Sequence, residues 1–283
     1  MTAPPLIAVD IGNSSTKIGQ FAAHDLFPTS SSPEASPVAA GRLPQPQAIW
    51  SFTTGQAPPG LLGTALPPMP CRWKVISVHR RGSQLLADWL ATHRPRDEVH
   101  WLTAADLPLV LRVEQPHRVG LDRLAAAVGV NQLRTPARPA IVVDAGSAIT
   151  VDLVAADGAF EGGAILPGFR MSAEALCGAD LLPLTSLAPE GEPPPPLGRY
   201  TEAAIRSGLF WGTVGAVREL IDRLSRPLSA PPELFFTGGD LRRLAELISP
   251  QARFEPHLVL GGIAAADRND LAPPGKAEGG LLR

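Results

Sequence analysis

The chain of 283 residues has two cysteines, one tyrosine and no apolar run near the roughly 20 residues that a membrane-spanning helix requires. Cys71 and Cys177 stand far apart and in no C-x-x-C pair, which excludes a disulfide framework and a zinc site and leaves two buried thiols as the expectation. His24, His79, His93, His100, His117 and His257 follow no H-x-x-x-H or similar metal spacing, so most read as surface or structural side chains. Charge is low and balanced. A formal net charge of -2, with Lys and Arg scattered along the chain, offers no basic face for nucleic acid and no charged tail. The first residues lack the basic and apolar regions of a secretion signal, so a cytoplasmic protein without membrane or nucleic-acid partners is expected.

Proline, by contrast, is abundant: 31 residues, concentrated in 28–70 and 189–196, stretches that read as surface insertions. With 45% apolar residues, the chain can bury one large core or two moderate ones.

Residues 6–9 form a short apolar run that ends in Asp10-Ile11-Gly12-Asn13, after which residues 16–21 are again extended in pattern. The unit recurs. Residues 140–143 end in Asp144-Ala145-Gly146-Ser147, and residues 148–154 resume a β-branched pattern. Without gaps, Asp10 aligns with Asp144, Gly12 with Gly146, Asn13 with Ser147 and Thr16 with Thr150. Such a repeat predicts two similar halves, 1–118 and 119–283, each opening with strands and continuing as alternating helix and strand. Strands are predicted at 75–78, 99–102, 110–113, 159–166 and 234–236, and helices at 83–93, 121–133, 169–177, 201–224 and 241–248. The tail beyond Ala265 is polar and reads as frayed.

A carboxylate at the end of a strand, followed by a glycine turn with small hydroxyl or amide residues, suits a nucleotide phosphate. Glycine allows close approach, backbone N–H groups donate to phosphate oxygens, and the Asp can hold a metal's water shell. One D-x-G turn is an ordinary hairpin feature. Two at the heads of matching halves fit phosphates bound between two walls. Gly120-Leu121-Asp122-Arg123 opens a predicted helix, where the helix N-terminus and the adjacent cation keep Asp122 ionised. Asp122 then reads either as a proton acceptor or as a helix cap. Arg123 reads as a bidentate ligand for a substrate carboxylate or as half of a surface ion pair. For Lys17, phosphate contact and a solvated strand side chain both stand open.

The paired turns resemble the phosphate-binding hairpins of the acetate and sugar kinase, Hsp70 and actin superfamily. Within it, D-I-G-N-S-S-T-K-I-G (10–19), G-L-D-R (120–123) and D-A-G-S-A-I-T-V-D (144–152) are similar to type III pantothenate kinases. G-G-A-I-L-P-G (162–168), Tyr200-Thr201 and T-G-G (237–239) add to the likeness, which runs from residue 6 to about 263 outside the proline-rich stretches. The resemblance implies an α/β fold of two ribonuclease-H-like (actin-like) half-domains flanking an ATP cleft. It implies transfer of the ATP γ-phosphate to pantothenate, with magnesium accompanying ATP and a potassium or ammonium ion required. It assigns Asp10, Ile11, Gly12, Asn13, Ser14, Ser15, Thr16, Lys17 and Ser147 to ATP, and Gly238 and Gly239 to its adenosine side. Gly120, Leu121, Asp122, Arg123 and Thr201 fall to pantothenate, with Asp122 the proton acceptor, and Asp144 to the monovalent cation. It also implies a homodimer, for which the 201–224 helix is a candidate interface or, equally, a core helix.

Two departures stand out. Ser147 occupies a position where these kinases usually have Thr, which keeps the hydroxyl. Many of them wall the pantothenate pocket with a tyrosine upstream of G-x-D-R, where this chain reads Val113-Glu114-Gln115-Pro116. Two rival readings are a superfamily kinase for another small hydroxy substrate and a non-catalytic nucleotide-binding relative of the transcriptional-accessory type. Retention of Asp10, Asp122, Arg123 and Asp144 argues against the second.

Overall fold

The structure, a computed structural model, describes residues 4–22, 42–177, 192–239 and 242–266. Residues 28–41 and 189–191 of the proline-rich stretches, Leu241, the tail from 267 and the side chain of Cys177 lie outside this description.

Strands β1 (Leu6–Ile11), β2 (Ser15–Phe21), β3 (Ala48–Thr53), β4 (Arg72–Ser77) and β5 (Glu98–Trp101) form one sheet in the order β3-β2-β1-β4-β5. A second sheet contains β6 (Ala140–Ala145), β7 (Ala148–Val154), β8 (Phe160–Pro167), β9 (Glu233–Gly238) and β10 (Arg253–Phe254), in the order β10-β9-β6-β7-β8. Read from the first strand of each half, the two orders are the same. So are the pairings: the first three strands run antiparallel and the last two join in parallel. β1 and β6 are nearly continuous apolar runs because both faces of each sheet are covered.

Helices fill three layers. α1 (Leu62–Ala65) and α2 (Arg80–His93) cover the outer face of the first sheet, where Leu62, Leu86, Trp89 and Leu90 pack on Ile7, Val9, Ile11 and Trp73. On the outer face of the second sheet lie α4 (Phe169–Cys177), α5 (Thr201–Ser225) and α6 (Arg242–Ile248), with Phe210, Val214 and Val217 against Ile141, Val143 and Phe236. Between the sheets run α3 (Leu121–Leu133) and α7 (Leu258–Ala265). Leu124, Ala127 and Val130 of α3 meet Val142, Val154 and Phe160, while Ala125 joins Leu260 and Ile263 of α7 against Leu6, Ala8 and Phe21. The α3–α7 crossing is close because glycine faces backbone on both helices. A Cβ on Gly262 would stand 1.9 Å from the Ala125 carbonyl oxygen, and one on Gly129 2.7 Å from that of Leu258. At the far end of α7, the buried Lys74 of β4 donates Nζ to the carbonyls of Ala264 (3.1 Å) and Ala266 (2.8 Å). A cation there complements the helix C-terminus.

Four features depart from the sequence reading. Residues 48–53 of the first proline-rich stretch are the sheet strand β3, and Leu62 and Leu66 of the same stretch are core residues, so that stretch is not all insertion. Alternation in A-I-W-S-F-T was the overlooked sign. Residues 110–113 make only a single bridge, Leu111 to Phe160, instead of a strand. α7 was not predicted; its two glycines and unbroken apolar run hide a helical period that only burial from several sides makes sense of. Lastly, Asp10 pairs with Lys17 but Asp144 pairs with Thr150, so the first turn holds one more residue and Lys17, not Thr16, is the counterpart of Thr150.

Candidate active site

The duplicated hairpins bring their turns together at the carboxyl ends of parallel strands, where open α/β sheets characteristically bind ligands. Gly12 N–H closes the first turn on the Ser15 carbonyl (3.1 Å), and Gly146 N–H closes the second on that of Ala148 (2.9 Å). The tips touch: Ser147 Oγ donates to Ser14 Oγ at 2.6 Å, joining the two halves.

Asp10 shares its sheet face with Leu6 and Ala8, the face that covers α7, and Lys17 projects beside it from the directly opposed position on β2. Burial lifts the Asp10 carboxyl to about 7; the Asp122 carboxylate adds to the rise, Lys17 opposes it and Asp144 adds further. Asp144, two residues beyond Val142 on the face toward α3, is lifted to about 6 by burial, against the pull of Lys17 and with a further rise from Asp122 and Asp152. Three carboxylates thus lie within electrostatic reach of one another, with Lys17 acting on two of them. Cation-accompanied phosphates would relieve such a concentration of like charge.

Gly120 is the N-cap of α3, and a Cβ there would lie 2.4 Å from Asp122 Oδ1. Asp122 therefore is not the cap: it stands in the first turn and accepts from the Arg123 backbone N–H at 2.9 Å. Arg123 makes neither a free fork nor a surface pair. Its Nε donates to both oxygens of Asp152 (3.1 and 3.0 Å), Nη2 donates to Oδ1, and the guanidinium lies 5.5 Å from the Phe160 ring centre.

Of the remaining predicted residues, Ile11 and Thr16 are buried; Ile11 packs in the core and the Thr16 hydroxyl pairs with that of Thr54 (2.9 Å), so their side chains support the turn from behind. Asn13 is exposed at the turn, while Ser14 and Ser15 are partly exposed. Gly238, with φ at 105°, runs against the second turn, where a Cβ would meet the Ala145 carbonyl oxygen at 2.2 Å; a Cβ on Gly239 would meet nothing within 4 Å. Leu121 packs between the sheets. Thr201 begins α5 and has no hydrogen bond to residues 120–123.

Sequence reading missed three neighbours of the site. Asp152, buried in β7, is the partner of Arg123; a carboxylate among apolar strand residues was the available sign. Arg170 reaches from α4 to Ser14 Oγ (3.4 Å) across the halves. His257, at the N-cap of α7, is close enough to Lys17 that burial first and then this ammonium lower its pKa. Among the described residues, no three His, Cys, Asp or Glu side chains converge as a metal-ligand set, and no helix is long and apolar enough to cross a membrane.

Two lobes of one strand order, each presenting a carboxylate-bearing turn to the other, define an actin-like phosphotransferase fold. Solved structures agree on this architecture. A Campylobacter jejuni protein described as a Baf family transcriptional activator matches with a TM-score of 0.54 at 19% identity, over 92% of this chain and 96% of its own. The ethanolamine utilization protein EutJ of Carboxydothermus hydrogenoformans matches with 0.51 at 13%, over 94% and 90%. At such identities the likeness concerns the fold alone. The family model described as type III pantothenate kinase matches residues 6–223, and the chain belongs to that family. The type III pantothenate kinase of Alkalilimnicola ehrlichii is 34% identical over 270 residues, covering 94% of this chain and 98% of that relative. That of Rhodopirellula baltica is 42% identical over 166 residues, 57% of this chain and 59% of its own.

Proposed function

We propose that the site between the lobes transfers the γ-phosphate of ATP to the primary hydroxyl of pantothenate, giving 4'-phosphopantothenate and ADP, the first step toward coenzyme A, with Asp122 accepting the hydroxyl proton. The observation that carries this reading is the convergence of Asp122, at the start of α3, with Asp10 and Asp144 at equivalent strand ends. Phosphoryl transfer needs positioning, charge neutralisation and a proton acceptor more than covalent help from the protein.

The halves 1–118 and 119–283 each supply one wall. The turn from Asp10 to Lys17, together with Ser147, holds the phosphates; Gly238 and Gly239 face the adenosine. Gly120, Leu121, Arg123 and Thr201 hold pantothenate around Asp122. Hard carboxylate oxygens suit magnesium, which would take most of its ligands from phosphate and water, with Asp10 as the protein's contribution; when bound it neutralises developing phosphate charge. Asp144 with nearby carbonyls suits a potassium or ammonium ion. A homodimer is supported by exposed apolar side chains, Ile165 on the edge strand β8 and Met171 and Leu176 on α4. A cytoplasmic location suits a kinase that draws on the cell's ATP.

ADP release by the purified protein with ATP, magnesium and potassium tests the reading. It predicts turnover that requires pantothenate and that falls by about 10²–10⁴ in Asp122→Asn, with the fold intact. ATP binding without pantothenate-dependent turnover would overturn it.

A further inference from the structure

Arg123 is held on two sides. Its Nε–Nη2 edge is committed to Asp152, its face lies over Phe160, and the side chains of the pair are 14% and 3% exposed. Nη1 donates to none of the described residues. Asp152 is itself buried in β7, on the same strand face as Thr150 two residues before it. Room for it comes from Gly163, the directly opposed residue on β8: a Cβ there would lie 2.5 Å from Asp152 Oδ1 and 2.1 Å from the Val151 carbonyl oxygen. The glycine of the 162–168 string thus has a physical task, which is to admit a carboxylate into the sheet face under the start of α3.

We propose that Asp152 is a positioning residue that fixes Arg123 so that only its outer Nη1–Nη2 edge meets the substrate carboxylate. The proposal rests on the pantothenate reading and deepens it. A guanidinium this sheltered needs a partner when no substrate is present, and Asp152 supplies the charge without blocking the end-on edge. A substrate carboxylate then meets a donor pair whose direction is already set, so little side-chain entropy is lost on binding. Removing Asp152 frees Arg123 to rotate, and the loss should fall on pantothenate while ATP, held by the turns, is unaffected.

The test compares wild type, Asp152→Asn, Arg123→Met and the double variant in full steady-state kinetics, with calorimetry of pantothenate binding and thermal melting alongside. Asp152→Asn should raise the KM and the dissociation constant for pantothenate about tenfold or more, leaving the KM for ATP within about twofold. In the Arg123→Met background the Asp152 substitution should add nothing, because its effect passes through Arg123. Equal shifts for both substrates, or an Asp152 effect undiminished without Arg123, would make Asp152 a structural residue and overturn the proposal. If Asp152→Asn alone does not fold, the two Arg123→Met proteins still decide: the double variant removes both charges, and any further loss of pantothenate affinity in it contradicts the proposal. Wild-type protein inactive toward pantothenate overturns the functional reading, and the proposal with it; an active wild type with an unaltered Asp152→Asn overturns the proposal alone.

Discussion

Asp10 carries a stability cost that its position makes measurable. Its carboxyl titrates near 3.8 in an unfolded chain and near 7 in the folded protein, so between about pH 4 and 7 the folded state binds more protons. Stability contributed through this group is greatest at the acid end of that window and falls as pH rises through 7; Asp144, lifted to about 6, adds the same trend. In protein freed of nucleotide and metal, Asp10→Asn should raise Tm by about 2–5 °C more at pH 7.5 than at pH 5, while lowering turnover. Equal effects at both pH values would contradict the burial that raises the Asp10 carboxyl, to which Asp122 adds. The carboxylates themselves were legible in sequence, because D-x-G occurs twice and G-L-D-R once. The partner of Arg123 was not, since an ion pair between α3 and β7 depends on how helix and sheet pack, which periodicity does not specify.

At the scale of elements, the paired hairpins were readable because each is a local unit of apolar strand, glycine turn and β-branched strand. Their internal offset was not: the extra turn residue that sets Lys17 opposite Asp10 emerges only from strand register. α7 eluded the pattern for a related reason, as Gly262 follows the demands of the α3 crossing and Gly261 makes room for the Leu43 side chain, instead of helix propensity. Gly262→Ala should therefore destabilise the protein by about 1–3 kcal/mol or more in urea unfolding, because the new methyl meets the Ala125 carbonyl. Gly212→Ala, on the exposed side of α5 with nothing within 4 Å of its added Cβ, should stabilise by about 0.5–1 kcal/mol. Similar effects at the two sites would show that helix propensity, and not the crossing, dominates.

The whole molecule is a duplication whose halves are joined by a shared helical layer, α3 and α7, and by the Ser14–Ser147 contact at the turn tips. Because α3 carries Asp122 and Arg123 and also packs on both sheets, movement of one lobe against the other must be felt at Asp122, the proposed proton acceptor. The two-lobed class could be read from the repeat before any packing was known, whereas the helical layer between the lobes could not, since it joins residues more than a hundred apart in sequence. On the outside, Ile165→Asp on β8 should convert a homodimer to a monomer in light scattering, with the circular dichroism spectrum unchanged; a wild-type monomer would contradict that surface assignment.

The most direct measurement of the central claim follows the phosphoryl group itself. Incubation with ATP labelled at the γ-phosphate, magnesium, potassium and pantothenate should move the label onto the 4'-oxygen of pantothenate, with the transfer abolished in Asp122→Asn. Label that stays in ATP, or appears only as inorganic phosphate, would contradict it.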